Sequence, residues 1–410
     1  MADRSTAAAP TGSASILAAL FLLAGMHQLA TGLLMGVVPV QLSLSGFAAT
    51  VVGWVSTAQS VGFLFGSLFA APLIAAIGSA RIALGIFACV NAASAAALLV
   101  TDDPFLWAAA RTVSGFSSAC AIVLFEAWFA SNATPARRGL VFGMYMALTR
   151  AAFMVAQISM AFVEPRLSLL FVAGAAIYLC VPSLSLAVKG DAPAIGRRAI
   201  SGRIWDMPLR APAAAAGCLT HALVTTAGAS LFPVYAVARG VPVDKIAVLL
   251  AAMQFGGLAM QLPLSFLSDK IGRRTVMLGA AMAAAMLSSL LWFVEAPGVW
   301  TLAVLAALWA GAPAPLYSLA VAHANDIAHD DERISWSSAM LVLWGTGATI
   351  GPIAASILMD RTGSGALFAF TGILSAALAL FLLLRKLIRK RPLAPVPATE
   401  TIGPAPGGGG

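Results

Sequence analysis

The sequence predicts an all-α integral membrane protein: twelve transmembrane helices in two pseudo-symmetric six-helix halves. Three observations lead there. Of 410 residues, 60% are hydrophobic and only 10% charged, where soluble domains carry about 25% charged residues. Ser5 to Ala80 contains no Asp, Glu, Lys or Arg, a stretch that no water-exposed domain sustains. Corresponding glycines then recur at a nearly constant offset in the two halves of the chain, the mark of an internal repeat.

The elements follow in order. Cutting the chain at charges, Pro and Gly leaves twelve apolar segments, at residues 16–41, 48–75, 81–100, 104–129, 139–163, 166–188, 211–238, 243–268, 275–295, 298–323, 334–359 and 363–387. Each reaches the ~20 residues that cross a bilayer as a helix, about twice the ~9–11 of a barrel strand. The first run, Ile16 to Leu42, exceeds the ~7–15 apolar residues of a secretory signal and reads as a retained span. The expected organisation is a cytoplasmic tail (1–15), a first six-helix half (16–188), a basic cytoplasmic linker (189–210), a second half (211–388) and a disordered cytoplasmic tail (389–410).

Charge sets the orientation. With twelve spans the loops alternate sides, and one side collects Arg4, Arg81, Arg137, Arg138, Lys189, Arg197, Arg198, Arg203, Arg210, Lys270, Arg273, Arg274, Arg333, Arg385, Lys386, Arg389, Lys390 and Arg391. The other side has Arg166, Arg239, Lys245 and Arg361. The positive-inside rule places the richer side, with both termini, in the cytoplasm. A net charge of +8 would suggest nucleic acid in a soluble chain. Here the basic residues border spans, so membrane lipid headgroups are the expected partner and nucleic acid is not. The four cysteines lie within apolar runs as small hydrophobes, without metal-ligand spacing.

The repeat is readable in two motifs. "QSVGFLFGSLFAAPLIAAIGSAR" (Gln59–Arg81) parallels "QFGGLAMQLPLSFLSDKIGRR" (Gln254–Arg274), aligning Gly78 with Gly272, and Gly115 in span four pairs with Gly311 in span ten. Two six-span halves joined by a basic loop are what secondary transporters show, with the solute site near mid-membrane between the halves. With "LSDKIGRR" (Leu267–Arg274) after span eight and "RTVSGFSSA" (Arg111–Ala119) in span four, the chain resembles the major facilitator superfamily over residues 16–388. "FEAWFASNATPARRGLVFGMYM" and "WGTGATIGP" look most like its bacterial YcaD-like branch. The resemblance implies alternating access at the bacterial inner membrane, and cavity walls from spans one, four, seven and ten. It also implies a gating loop formed by Asp269, Gly272, Arg273 and Arg274, which ties neighbouring helices in one conformation and frees them in another. Ala75 stands where Asp269 would fall in the sister loop, so the latch is degenerate there.

Ionisable groups inside spans are costly in hydrocarbon and are functional candidates by default. Arg111 lies roughly 10 Å into span four and Arg150 roughly 16 Å into span five, at 1.5 Å per residue. The resemblance links Arg111 to proton coupling; a structural hydrogen bond to nearby carbonyls is the alternative. Glu126, near the cytoplasmic end of span four, is either a proton site or the partner of Arg81, Arg137 or Arg138, and the pair is favoured. His27 and His221 occupy matching depths in spans one and seven, and histidine titrates near neutral pH. Span ten adds Trp309, Tyr317 and His323, with His323 and Asp326 on one face as rim structure.

No phosphate-binding loop or metal spacing occurs in the sequence, so an enzyme, a cofactor and ATP drive are not expected. The expected function is secondary transport of a small anionic or polar solute, coupled to protons, by a monomer. Arg111, Arg150, His27 and His221 against Glu126 would make the cavity positive. The alternatives are a proton-coupled exporter of hydrophobic compounds and a non-transporting sensor or assembly factor on the same scaffold. Asp269→Asn is expected to impair transport while membrane insertion, followed by fractionation, stays intact; unchanged uptake and efflux would reduce the motif to plain anchoring.

Overall fold

A computed structural model describes residues 11–134, 138–163, 167–188, 206–294, 298–329 and 332–388. All regular structure among these residues is helical. Twelve helices are long and apolar enough to span a membrane: Ser15–Leu44, Ala49–Ile77, Ala80–Val100, Pro104–Asn132, Leu140–Phe162, Ser168–Ala187, Pro212–Ala238, Val243–Ile271, Arg273–Phe293, Val299–Asn325, Trp336–Thr362 and Ala366–Ile388. They are numbered as spans one to twelve. Most of the linker expected at 189–210, and the tail from 389, lie outside the described residues. The linker's last five residues form a short helix, Asp206–Arg210, and helix also begins at Thr11, inside the segment expected as a tail.

Span ends run past the apolar segments because a helix satisfies its own backbone groups and has no reason to stop at the edge of hydrocarbon. Span eight therefore continues through Asp269 and Lys270 to Ile271, and Gly272 alone separates it from span nine. Gly272 has φ +89 and its counterpart Gly78 φ +76, a backbone region that glycine enters without a Cβ clash. Elsewhere the stops are local. Asp103 accepts a bond from Phe105 N at 2.9 Å, with Pro104 in the first turn of span four, an arrangement that caps exposed amides.

Within spans one to six, span two packs on four, three on four and six, and one on five and six; within seven to twelve, eight packs on ten, nine on twelve, and seven on eleven. The two-on-four and eight-on-ten contacts are backbone against backbone. A Cβ on Gly62 would sit 1.9 Å from Thr112 O, and one on Gly256 would sit 1.9 Å from Ala307 O. Gly115 likewise faces Gln59 O at 2.1 Å, and Gly311 faces Gly256 O at 2.7 Å. In a membrane, where apolar faces gain little by leaving lipid, such small-residue contacts supply the association.

The buried side chains form three clusters. One unites both groups of spans at the end opposite the signature loop, running from Val38, Val52 and Trp107 to Phe232, Ile246 and Phe368. At the signature-loop end the core divides: Leu20, Phe87, Phe125 and Trp128 belong to the first group, and Cys218, Met277, Leu316 and Trp336 to the second. Hydrogen bonds between the groups follow that division. They run from Asp360 with Ala49 and Thr50 at the shared end, through Thr57 Oγ1 to Thr349 O at 3.0 Å, to Arg150 with Gln254 at mid-depth. The molecule is thus closed at one end and parted at the signature-loop end.

At that parted end Glu332 ties two pieces of the second group together. Its carboxylate accepts from His329 N at 3.1 Å and pairs with Arg210, whose guanidinium lies 4.9 Å over the Trp336 ring. The His329 amide first, and Arg210 second, hold the Glu332 carboxyl below the usual carboxylate range. A lowered native value contributes stability above the unfolded pKa, and that contribution fades as pH falls through the native value.

Two outcomes follow. Gly62→Val or Gly256→Val should lower the thermal unfolding temperature of the purified protein by a large margin, equivalent to about 1–3 kcal/mol or more of overpacking. Gly279→Ala, with nothing within 4 Å of the added carbon, should leave it unchanged. Glu332→Gln should unfold at a lower temperature than wild type near pH 7, and the gap should close below about pH 4.5, the ordinary glutamate value.

Candidate solute site

Where the two groups of spans meet at mid-depth, four of the sequence-predicted residues come together. Arg150, from span five, is half-buried and reaches the second group: its Nη1 donates to Gln254 Oε1 over a long 3.4 Å. A Cβ on Gly257, one turn further along span eight, would lie 3.7 Å from Nη1, an ordinary contact distance, so the guanidinium lies along this face of span eight. Arg150 has no carboxylate partner among the described residues, and one weak neutral acceptor does not balance a full charge at that depth.

His221, from span seven, lies within electrostatic reach of Arg150. Its Nδ1 is 2.9 Å from Pro313 O; a carbonyl only accepts, so Nδ1 carries the proton and Nε2 remains for other partners. The Pro313 carbonyl is available because span ten is broken. Helix runs Val299–Gly311 and resumes at Leu316–Asn325, and between them Ala314 N and Leu316 N close short turns onto Gly311 O and Pro313 O. Tyr317 follows the break, its ring 5.9 Å from that of His221. Glu126, half-buried in span four, is within electrostatic reach of Tyr317 across the parted end and of Tyr145 in span five. Arg150, His221 and Tyr317 therefore lie near one another where the two groups meet, with Glu126 within electrostatic reach of Tyr317. Glu126 has neither an ion pair nor a hydrogen bond among the described residues. The favoured pairing with Arg81 is not formed, because the carboxylate faces the cleft instead of the rim; the side chains of Arg137 and Arg138 lie outside the described residues.

Two predicted cavity residues are elsewhere. His27 is wholly buried inside the first group, its ring 5.4 Å from Tyr178 and 5.7 Å from Phe125, with both ring nitrogens unpartnered. Arg111 is 4% exposed, within electrostatic reach of Tyr178, and its Nε has no hydrogen-bond partner. The Tyr178 hydroxyl bonds Thr31 Oγ1 at 2.8 Å. The expected positive cavity lining is thus reduced to Arg150 and His221 against Glu126, since spans one and four turn His27 and Arg111 toward span six. Trp309 is also internal, donating to Ser288 Oγ at 2.9 Å.

At the signature loop, Asp269 is exposed and accepts from Arg273 of its own turn at 3.3 Å. Arg273 Nε also bonds Asp326 Oδ2 at 2.6 Å, and Arg274 Nε donates to His323 Nε2 at 3.0 Å. The loop therefore fastens spans eight and nine to the end of span ten, all within the second group. His323 and Asp326 serve the rim as expected, through the two arginines rather than through each other.

Sequence reasoning missed Gln254 and the span-ten break. Both had signals: Gln254 opens the second copy of the repeat as Gln59 opens the first, and "GAPAPLY" (Gly311–Tyr317) has two prolines separated by one residue, each removing a backbone donor. Among the described residues, no group of three or more His, Cys, Asp or Glu could hold a metal ion.

Comparison with known proteins agrees with this architecture. The sequence profile of the Major Facilitator Superfamily matches residues 20–252 and again 213–406. An uncharacterized MFS-type transporter of Yersinia pestis (strain Pestoides F) is 26% identical over 381 residues, covering 90% of this chain and 95% of its own. The uncharacterized MFS-type transporter YcaD of Salmonella typhi is 27% identical over 358 residues, covering 87% and 92%. Among solved structures, the nucleoside transporter NupG superposes with TM-score 0.77 at 14% identity, over 90% of this chain and 98% of its own. The xylose transporter XylE from E. coli, in a partially occluded inward-open conformation, gives 0.68 at 14%, over 90% and 98%. A family profile spanning both repeats, on twelve helices that close at one end around a mid-depth polar site, makes this chain a member of the Major Facilitator Superfamily: a multi-pass membrane transporter, and not an enzyme.

Proposed function

We propose that this protein moves a small solute bearing an anionic group across the bacterial inner membrane, by alternating access and with proton coupling. Arg150 carries the reading. It is a guanidinium at mid-depth between the two groups of spans, held by one long bond to Gln254 and without a carboxylate partner among the described residues. A fork of donors in that position suits a carboxylate or phosphate, which would supply the missing charge. The neighbouring His221 Nε2 and Tyr317 hydroxyl offer further polar contacts from the second group, so a bound solute would touch both.

Glu126 is the proton site in this reading. It is an acid in the cleft with no ion pair among the described residues, and an ionisable group at that depth is a candidate to take up and release a proton as the parted end opens and closes. The basic loops support a cytoplasmic position for the parted end and both termini. The six-span groups on either side of the basic linker are the two rocking bodies.

The test is transport into proteoliposomes across a panel of acidic metabolites. Arg150→Ala should slow transport of the accepted solute at least thirtyfold, about the 2 kcal/mol lower bound for removing one partner of a buried charged contact, while Arg150→Lys keeps an intermediate rate. Equal rates for Arg150→Ala and wild type on every acidic solute transported would reject the reading.

A further inference from the structure

At the closed end the start of span two lacks a cap of its own. The residue before it, Ala48, offers no side-chain acceptor, so the first amides of the helix need a partner from elsewhere. That partner is Asp360, near the end of span eleven in the second group. Ala49 N donates to Asp360 Oδ1 at 2.9 Å and Thr50 N to Oδ2 at 2.8 Å, and the Thr50 hydroxyl also donates to Oδ2. Span two is therefore capped in trans, by a carboxylate of the other half. Span eight has Asp244 in its own first turn, so the arrangement is specific to one side of the pseudo-twofold.

We propose that Asp360 is the latch of the closed end: its carboxylate on the span-two N-terminus holds the two halves together there, and releasing it is the step that lets that end open. Three features fit this role. The contact is bidentate to successive backbone amides, and the positive end of a helix dipole favours an anion. It sits one helical turn from a close approach of spans two and eleven, where a Cβ on Gly53 would meet Ser356 Oγ at 2.1 Å, so parting the spans there would draw the carboxylate off the amides. It is also at the rim rather than in the core, with Thr50 part-exposed, so water can replace the bonds when the halves part and the latch remains reversible. In the same conformation, Asp269 at the opposite end is bonded, among the described residues, within its own half through Arg273. The acid at the closed end is engaged between halves while the acid at the parted end is not.

The test is a distance measurement between spin labels on the closed end, at Asp102→Cys and Gly298→Cys, with exposed Cys89 and Cys180 replaced by Ser. Asp360→Ala should raise the longer-distance population about tenfold over the labelled background, the scale of one charge-assisted hydrogen bond, and Thr50→Val should raise it by less. A purely structural cap would lower the unfolding temperature and leave the distance distribution unchanged, and that result overturns the proposal. Should Asp360→Ala not fold, Asp360→Asn and Thr50→Val give the same readout: longer distances in either support the latch, and unchanged distances in both reject it.

Discussion

Hydrocarbon offers no hydrogen bonds, and the rest of this structure is organised by that constraint. Every backbone group must be satisfied within the chain, which makes the described core helical throughout. Because lipid is as apolar as a leucine, helices are joined by close approach rather than by hiding oily faces. Gly62 against Thr112 O, and Gly256 against Ala307 O, are the same solution used twice, once in each repeat. The constraint also makes Arg150 informative. Its charge lies at mid-depth, where its one bonded neighbour among the described residues is an amide oxygen.

His221 and the signature loop both bond to span ten. Its helix stops at Gly311 and restarts at Leu316, and the loosened carbonyl of Pro313 receives His221. Short turns inside a helix often mark a hinge. Beyond the break, the same span ends at His323 and Asp326, which hold the arginines of the signature loop. One helix thus touches His221 in its middle and the signature loop at its end. The single shared core at the other face is what the proposed alternating access would have to divide.

Much of this was legible in the sequence, and the exceptions share one cause. The twelve spans follow from composition, because a stretch such as Ser5 to Ala80 without charge has no other use. The repeat follows from Gly115 and Gly311, since only glycine permits backbone contact at those points. The rotation of each helix about its axis was not legible. In a water-soluble helix the polar stripe marks the outside, but here lipid face and protein face are both apolar. His27 and Arg111 were therefore expected on the cavity and lie against Tyr178 instead, while Glu126 was expected at the rim and faces the cleft. Gln254 escaped because a neutral amide does not stand out where charge is the signal, and the trans cap of span two escaped because Ala49 and Asp360 are 311 residues apart.

The central claim is that the mid-depth site selects solutes for negative charge. Its most direct test is a thermal-shift screen of the wild-type protein against acidic, neutral, basic and hydrophobic small molecules, since a ligand stabilises only the folded state that recognises it. Stabilising compounds should all carry a carboxylate or phosphate. Stabilisation confined to cationic or uncharged hydrophobic compounds would contradict it.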